Sequence, residues 1–412
     1  MEPAGKIDPQ PWMSAPQTKA VMAALTAKGA RALFVGGCVR NTLLGRTVDD
    51  IDIATDAAPQ TVIELLEKAK IKAVATGIEH GTITAVTDHR HFEITTLRRD
   101  AETFGRKARV EFTDDWLEDA KRRDFTFNAL YCDDKGVLYD PFDGRADLKK
   151  GRVRFVGSAA ARIAEDYLRV FRFFRFLAWY GKPPPDEEAI DAIGVAAPLL
   201  TGLSGERVQK EMLKLLAAPD PAAAVGLMYD EGVFEHWLPE TSGTARLVSL
   251  LALEKATGMK GDPLRRLLAL LDDDVEIDPV ASRWRLSKAA QARLALGLAH
   301  EPKLVSLDAK SMRALVYRIG NQAAEDRLAL HAIRSRIGAS HPVLAGALPV
   351  VREWQAPKFP LTGADVLALG VTPGADVGWF LGAVEEWWIA GDFAADAKAC
   401  QAELKRLVEE KR

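Results

Sequence analysis

Apolar and polar positions follow two different rhythms along this chain. Up to about residue 150, short β-branched runs alternate with helix-spaced stretches. Residues 17–29 place Val21, Met22 and Leu25 on one helix face that ends near Gly29. Leu33–Val35 and Asp50–Ala54 read as strands, with a helix opening at Asn41–Leu44 between them. Pro59–Ala69 is a helix, and Val74–Ala75, Thr82–Thr87 and His91–Thr96 are strands by β-branched content and alternation. Residues 99–119 are polar, charged and without period, which predicts a long loop. From about residue 158 the pattern is helical to the end. Ile163, Tyr167, Val170, Phe171, Phe174 and Leu177 recur at helix spacing, with Asp166, Arg169 and Arg172 on the opposite face and Arg175 one step round. Asp166 and Arg169, three apart, are expected as neighbours on that face. Proline clusters at 183–185 and 219–221 break the helices, and prolines at 342, 349, 357 and 360 mark a boundary before a last unit at about 361–412. Trp379, Trp387 and Trp388 are expected in the core of the last unit. The rhythm predicts a mixed-sheet α/β head followed by an all-helical remainder, an α+β molecule.

Length changes the picture first: 412 residues exceed one ordinary core, so two to four units are expected. The hydrophobic content of 48% is ample for burial, yet no apolar run reaches the roughly 18 residues needed to span a membrane. The segment Met1–Gln17 lacks the apolar core of a signal peptide. Cys38, Cys132 and Cys400 are far apart with no CxxC pair, which suits a reducing cytoplasm better than a disulfide framework or zinc site. The net charge of −3 does not advertise nucleic-acid binding. Its distribution says more, because Arg and Lys concentrate in 145–182 and in 283–336 (Arg283, Arg293, Lys303, Arg313, Arg318 and Arg334 among them). These runs are either local basic surface for an RNA backbone or ordinary solvated helix faces.

The chemistry gathers in residues 34–54. Alternate residues of a strand share a face, so Asp50 and Asp52 present two carboxylates together while Ile51 and Ile53 turn to the core. Such a pair suits a hard divalent cation such as Mg²⁺. Gly36 and Gly37 let the backbone approach a ligand and offer N–H groups to a phosphate. Glu93, between core-facing Phe92 and Ile94, either completes a carboxylate triad, the reading favoured by its place after a hairpin-like return, or is an ordinary surface strand glutamate. A phosphate cradle beside a metal site points to phosphoryl or nucleotidyl transfer.

The stretch Gly36-Gly37-Cys38-Val39-Arg40 … Leu44-Gly45 … Asp50-Ile51-Asp52-Ile53 resembles the first motif of the class II CCA-adding tRNA nucleotidyltransferases and bacterial poly(A) polymerases. Four more stretches agree in order and spacing. Arg122-Arg123-Asp124-Phe125-Thr126-Phe127-Asn128-Ala129 resembles the second, ribose-recognising motif. Asp140-Pro141-Phe142-Asp143-Gly144 … Asp147-Leu148 resembles the third, Glu165-Asp166-Tyr167-Leu168-Arg169 the fourth, and Leu203-Ser204-Gly205-Glu206-Arg207 the fifth. The resemblance covers about residues 20–218. It implies a polymerase-beta-type nucleotidyltransferase head (1–148) followed by a helical neck (149–218), body (219–345) and tail (346–412), the last two for tRNA.

By the same resemblance Asp50 and Asp52 hold Mg²⁺ with Glu93 as third catalytic carboxylate. Gly36, Gly37, Arg40, Arg123, Asp124 and Asn128 contact the nucleotide. Asp166 and Arg169 read the base, supported by Arg172 and Arg175. The substrates implied are tRNA, CTP and ATP, with no membrane and no obligate protein partner. Asn41 departs from the Asp common in the family. A poly(A) polymerase would carry an Arg-rich strand where Thr76–Thr84 stands here. A CC-adding enzyme would have a shortened 99–119 segment, and a non-catalytic RNA-binding relative would lack a carboxylate.

Overall fold

The computed structural model describes every residue except 89, 105–106, 300–303, 305 and 412, and describes 100–104 and 107–110 by backbone alone. Lys303 and part of the 99–119 segment therefore lie outside the described residues. The chain divides into two compact units, Met1–Trp237 and Leu238–Arg412.

Among its described residues the first unit holds ten strands: β1 (Pro3–Lys6), β2 (Ala32–Val35), β3 (Ile51–Thr55), β4 (Lys72–Gly77), β5 (Thr82–Thr87), β6 (Arg90–Thr96), β7 (Arg98–Phe104), β8 (Lys107–Phe112), β9 (Tyr131–Cys132) and β10 (Val137–Tyr139). Eight form one mixed sheet in the order β1-β10-β9-β2-β3-β6-β5-β4. Only β3 and β6 run parallel; the other pairs are antiparallel. The alternation read from sequence holds: Ile51, Ile53, Phe92 and Ile94 are buried while Asp52 and Glu93 turn to the other side. β1, β9 and β10 were not expected, because strands of two to four residues are too short to show a period.

The 99–119 segment is not a loop. β7 and β8 pair as an antiparallel hairpin, and a helix follows at Trp116–Lys121, opened by Asp115 accepting from Leu117 N–H at 2.8 Å. Its charged strands carry little apolar alternation, which is why the pattern concealed them. The single helix expected from residue 158 is two, Ala159–Glu165 and Leu168–Tyr180. Between them Asp166 leaves helical geometry (φ −153°, ψ 102°), and its Oδ1 accepts from Leu168 N–H at 3.1 Å. An aspartate can offer this local bond in place of the helical one. The apolar periodicity continues across the break and so hides it.

The second of these helices, Leu168–Tyr180, carries arginines on one side and aromatics on the other. Phe171, Phe173, Phe174 and Phe176 are buried. Phe155, Phe173 and Phe176 pack around Phe125, with Phe125–Phe155 centroids 4.7 Å apart and Phe125–Phe176 5.2 Å apart. Each ring adds large apolar burial plus an edge or offset contact. The cluster fastens this helix to the segment that carries the second motif. The third motif braces the same segment from behind. Asp147 accepts from the Thr126 hydroxyl at 2.7 Å and from Arg154 Nε at 2.8 Å, and a methyl on Gly144 would meet Thr126 O at 2.2 Å. Only glycine fits so close an approach.

The second unit is helical among its described residues. Several arginines of its basic run are taken up by ion pairs within the unit, while Lys288, Lys310 and Arg336 stay exposed. Arg283 pairs with Glu240 at 2.8 Å, Arg293 with Asp326 at 2.7 Å, Arg313 with Asp392 at 2.5 Å, Arg318 with Glu386 at 2.5 Å and Arg334 with Asp273 at 2.7 Å. Arg265 also pairs with Asp326, at 2.9 Å and buried, so that one acid serves two arginines. These partners lie many residues apart, so the charge count alone could not reveal the pairing. Trp388 is buried as expected, but Trp379 is 51% exposed and Trp387 39% exposed. Trp379 is covered instead by the Lys411 ammonium, 4.1 Å from its ring centre. Pro342 begins a helix, Pro342–Glu353, that contains Pro349, and Pro357 and Pro360 fall between it and the next helix, Gly363–Ala368. No described helix is long and apolar enough to cross a membrane.

Candidate active site

β2 delivers the chain to Gly36, whose φ of 68° and ψ of −115° suit a residue without a side chain. The following helix spans Gly37–Leu43, beginning earlier than the Asn41 start expected. Beside this turn, β3 carries Asp52 directly opposite Glu93 of β6 in parallel register. Asp50 sits just before β3, on the same side by alternation.

A cavity of about 500 Å³ opens here. Gly36, Gly37, Asp50 and Asp52 line one side, and Arg40, Arg123, Asp124 and Asn128 another. Asp166, Arg169, Arg172 and Arg175 close it. Twelve of the thirteen residues singled out from sequence thus meet in one cavity. Glu93 is the exception: it stands exposed beside Asp52 and does not line the cavity. Asn41, Asp49, Arg122 and Phe176 also line it and were not assigned a site role from sequence.

The arginines are held by buried acids and by aromatic faces. Arg40 is buried; it donates to Asn128 Oδ1, to the Tyr180 hydroxyl at 3.0 Å and to Asn41 Oδ1 at 3.3 Å, and lies 4.5 Å from the Tyr180 ring centre. Burial lowers its pKa, and Tyr180 and Asp124 oppose that. Asp124 accepts from Arg172 Nε at 2.7 Å, from Asn128 Nδ2 at 2.9 Å and from the Phe125 N–H at 2.9 Å. Burial alone would raise its pKa, but Arg172 and these hydrogen bonds hold it at about 2. Arg175 pairs with Glu211 at 2.9 Å and lies 4.3 Å from the Phe176 ring centre. Glu211 also faces Arg172 at 3.5 Å. Asp124 is therefore a strut holding Arg172 and Asn128 toward the cavity.

The side chains of Asp166 and Arg169 do not pair with each other, although the Arg169 N–H donates to Asp166 O at 2.9 Å. Asp166 Oδ2 accepts from Arg207 at 2.6 Å. Arg169 donates to Glu165 at 2.6 Å, to Arg162 O at 2.8 Å and to Arg122 O at 3.2 Å. Asp166 lies outside the helix, so the three-residue spacing no longer sets them side by side. Those three bonds use Nη1 fully and one Nη2 proton. A guanidinium has five N–H donors, so Nε–H and one Nη2–H of Arg169 are left for a ligand.

The carboxylates fit Mg²⁺ in kind. Burial first, then the Glu93 and Asp50 charges, push Asp52 up to about 6 against the pull of Arg123 and Arg40. Negative charge is thus in excess at this point, which is what a hard cation neutralises. Among the described residues, however, no three His, Cys, Asp or Glu side chains converge tightly enough to hold an ion. Asp50 and Asp52 offer oxygen donors to the cavity, and Glu93 has not turned in to join them.

Known proteins resemble the chain over most of its length. A family model described as the poly A polymerase head domain matches residues 32–154, and one described as a probable RNA and SrmB-binding site of polymerase A matches 185–243. The mitochondrial CCA tRNA nucleotidyltransferase 1 of Mus musculus is 36% identical over 363 residues, 86% of this chain and 82% of that protein. The CCA-adding enzyme of Lactococcus lactis is 30% identical over 402 residues, 95% of this chain and 97% of that one. Among solved structures, the CCA-adding enzyme of Bacillus stearothermophilus in complex with CTP superposes with a TM-score of 0.74 at 28% identity, covering 96% of this chain and 99% of that one. The chain belongs to the family of CCA tRNA nucleotidyltransferases, the CCA-adding enzymes.

Proposed function

We propose that this chain adds C, C and A in turn to the 3′ end of tRNA, using CTP and ATP and releasing pyrophosphate. The observation that carries the reading is the single cavity that brings together a carboxylate pair, a glycine turn, a set of braced arginines and the Asp166–Arg169 wall. In this reading the carboxylates activate the nucleophile, the arginines meet polyphosphate charge, and Asp166 with Arg169 tests the base.

In this reading Asp50 and Asp52 hold Mg²⁺, with Glu93 turning in beside Asp52. Bound there, Mg²⁺ supplies activation of the 3′-hydroxyl and neutralises charge at the α-phosphate. The chain's own residues do the rest. The Gly36–Gly37 backbone lies against the phosphates, and Arg122 and Arg123 meet their charge. Arg40, bonded to Asn128 and to Tyr180, adds to the phosphate contacts, and Asn128 shapes the ribose side. Arg172 and Arg175 are held to Asp124 and Glu211, so they shape the wall more than they reach out.

C and A each carry an exocyclic amine beside a ring acceptor, and G and U reverse that order. Asp166 can accept from the amine, and the two unused donors of Arg169 can meet the ring nitrogen. One wall then accepts CTP and ATP and refuses GTP and UTP. Head, neck, body and tail, at 1–148, 149–218, 219–345 and 346–412, are the functional parts in this reading, the last two gripping tRNA. The three free, buried cysteines suit a reducing compartment such as the cytoplasm.

The wall is tested by Asp166→Ala. Discrimination of CTP over UTP, measured as the ratio of kcat/KM values, is expected to fall roughly 10- to 100-fold, the 1–3 kcal/mol of a paired base-edge contact. Unchanged discrimination would remove Asp166 from base reading.

A further inference from the structure

The short helix Trp116–Lys121 places Asp119 behind the cavity, with its side chain 1% exposed. Such a carboxylate must be fully compensated to stay charged. Its Oδ1 accepts from Arg122 Nε at 2.9 Å and Nη2 at 2.6 Å. Its Oδ2 accepts from Arg123 Nε at 3.2 Å and Nη2 at 3.0 Å, and from the Tyr131 hydroxyl at 2.8 Å. Tyr131 in turn accepts from Arg123 Nε at 3.0 Å. The two guanidinium groups are thus clamped by the same edge, one on each oxygen. Neither Nη1 takes part in these bonds. Both arginines line the cavity, and a methyl on Gly36 would lie 3.9 Å from Arg123 Nη1.

We infer that Asp119 is a positioning residue for nucleotide binding: it aims the Nη1 edges of Arg122 and Arg123 at the triphosphate beside the glycine turn. The inference rests on the nucleotidyltransferase reading of the cavity and adds a residue that touches neither substrate nor metal. Two unanchored arginines would swing over many rotamers and lose that entropy on each binding event. Clamped by one buried acid, they meet the anion already ordered. The Tyr131 hydroxyl completes the clamp, since an acid serving two arginines through two oxygens still has acceptor capacity to fill. The consequence is specific. Triphosphate contacts are the same for CTP and ATP, so loss of the clamp weakens both nucleotides equally and leaves base choice intact.

The test uses the full-length protein with Mg²⁺ and tRNA lacking its 3′ CCA. In Asp119→Asn, KM for CTP and for ATP should each rise roughly 10-fold, with kcat within about 3-fold and KM for tRNA unchanged. The inhibition constant of inorganic tripolyphosphate, which has no base, should rise in parallel. If Asp119→Asn does not fold, Tyr131→Phe decides: the clamp keeps its ion pairs and loses one donor, so both nucleotide KM values rise about 2- to 4-fold. Unchanged nucleotide KM in the folded variant overturns the inference, as does an effect confined to one nucleotide or to kcat. A wild-type protein that incorporates nothing would instead overturn the underlying reading of the cavity.

Discussion

Asp52→Asn is expected to lower nucleotide incorporation by roughly 1,000-fold or more, while the metal-free variant is more stable than the parent. The activity loss follows from removing a charged oxygen donor at the point where several kcal/mol of charge stabilisation is supplied. The stability gain follows from the same charge. Asp52 is held at about 6 against 3.8 in the unfolded chain, by burial first and then by Glu93 and Asp50. A folded-state pKa above the unfolded value means that ionisation costs stability. That cost is absent below about pH 4, grows between pH 4 and 6, and is complete above. At neutral pH it amounts to about 1–2 kcal/mol once discounted for the water that still reaches this half-buried group. Thermal midpoints in chelator at pH 7.5 and pH 4 measure it: Asp52→Asn should unfold at higher temperature at pH 7.5, with the difference gone at pH 4. An active variant would remove Asp52 from the chemistry. An inactive variant that is also less stable would assign the loss to folding.

Asp124→Ala is expected to destabilise the first unit by about 3 kcal/mol and to lower activity with it. The carboxylate is buried, while Arg172 keeps 31% of its side chain exposed, so the stranded arginine costs less than a fully buried one. Asn128 and the Phe125 N–H lose their acceptor as well. The folded pKa of about 2 lies below the unfolded 3.8, so the ionised carboxylate stabilises the fold above about pH 4. That contribution fades as pH falls through 2. The gap between parent and variant in denaturant midpoints should therefore narrow as pH is lowered from 5 toward 2. A gap independent of pH would mean that packing, not charge, is what Asp124 supplies.

The parts of the site legible in sequence are those that rest on local geometry. Strand alternation set Asp50 and Asp52 on one side of Ile51 and Ile53 and turned Glu93 away from Phe92 and Ile94, while the parallel β3–β6 register that puts Glu93 opposite Asp52 shows only in the fold. The family motifs named residues that the fold then gathered into one cavity. What the sequence hid is held by distant partners. Arg40 meets Tyr180, Arg172 meets Glu211, and Asp119 serves a tyrosine that lies on β9. No periodicity links such pairs, since each depends on how elements pack. The helix break at Asp166 was hidden for a different reason. Its aromatic neighbours keep helical spacing, and only a side-chain bond to Leu168 N–H interrupts the backbone. The β7–β8 hairpin was missed because its charged residues leave no apolar stripe for a strand pattern to detect.

On the proposed function, one cavity adds C and A in a fixed order and then stops. Product length on tRNA lacking its 3′ CCA, with Mg²⁺ and each triphosphate alone and in combination, tests it most directly. CTP alone should extend the RNA by two residues, and CTP with ATP by three and no further. GTP and UTP should add nothing at comparable concentration. Long tails from ATP alone, or tRNA binding without any incorporation, would contradict it.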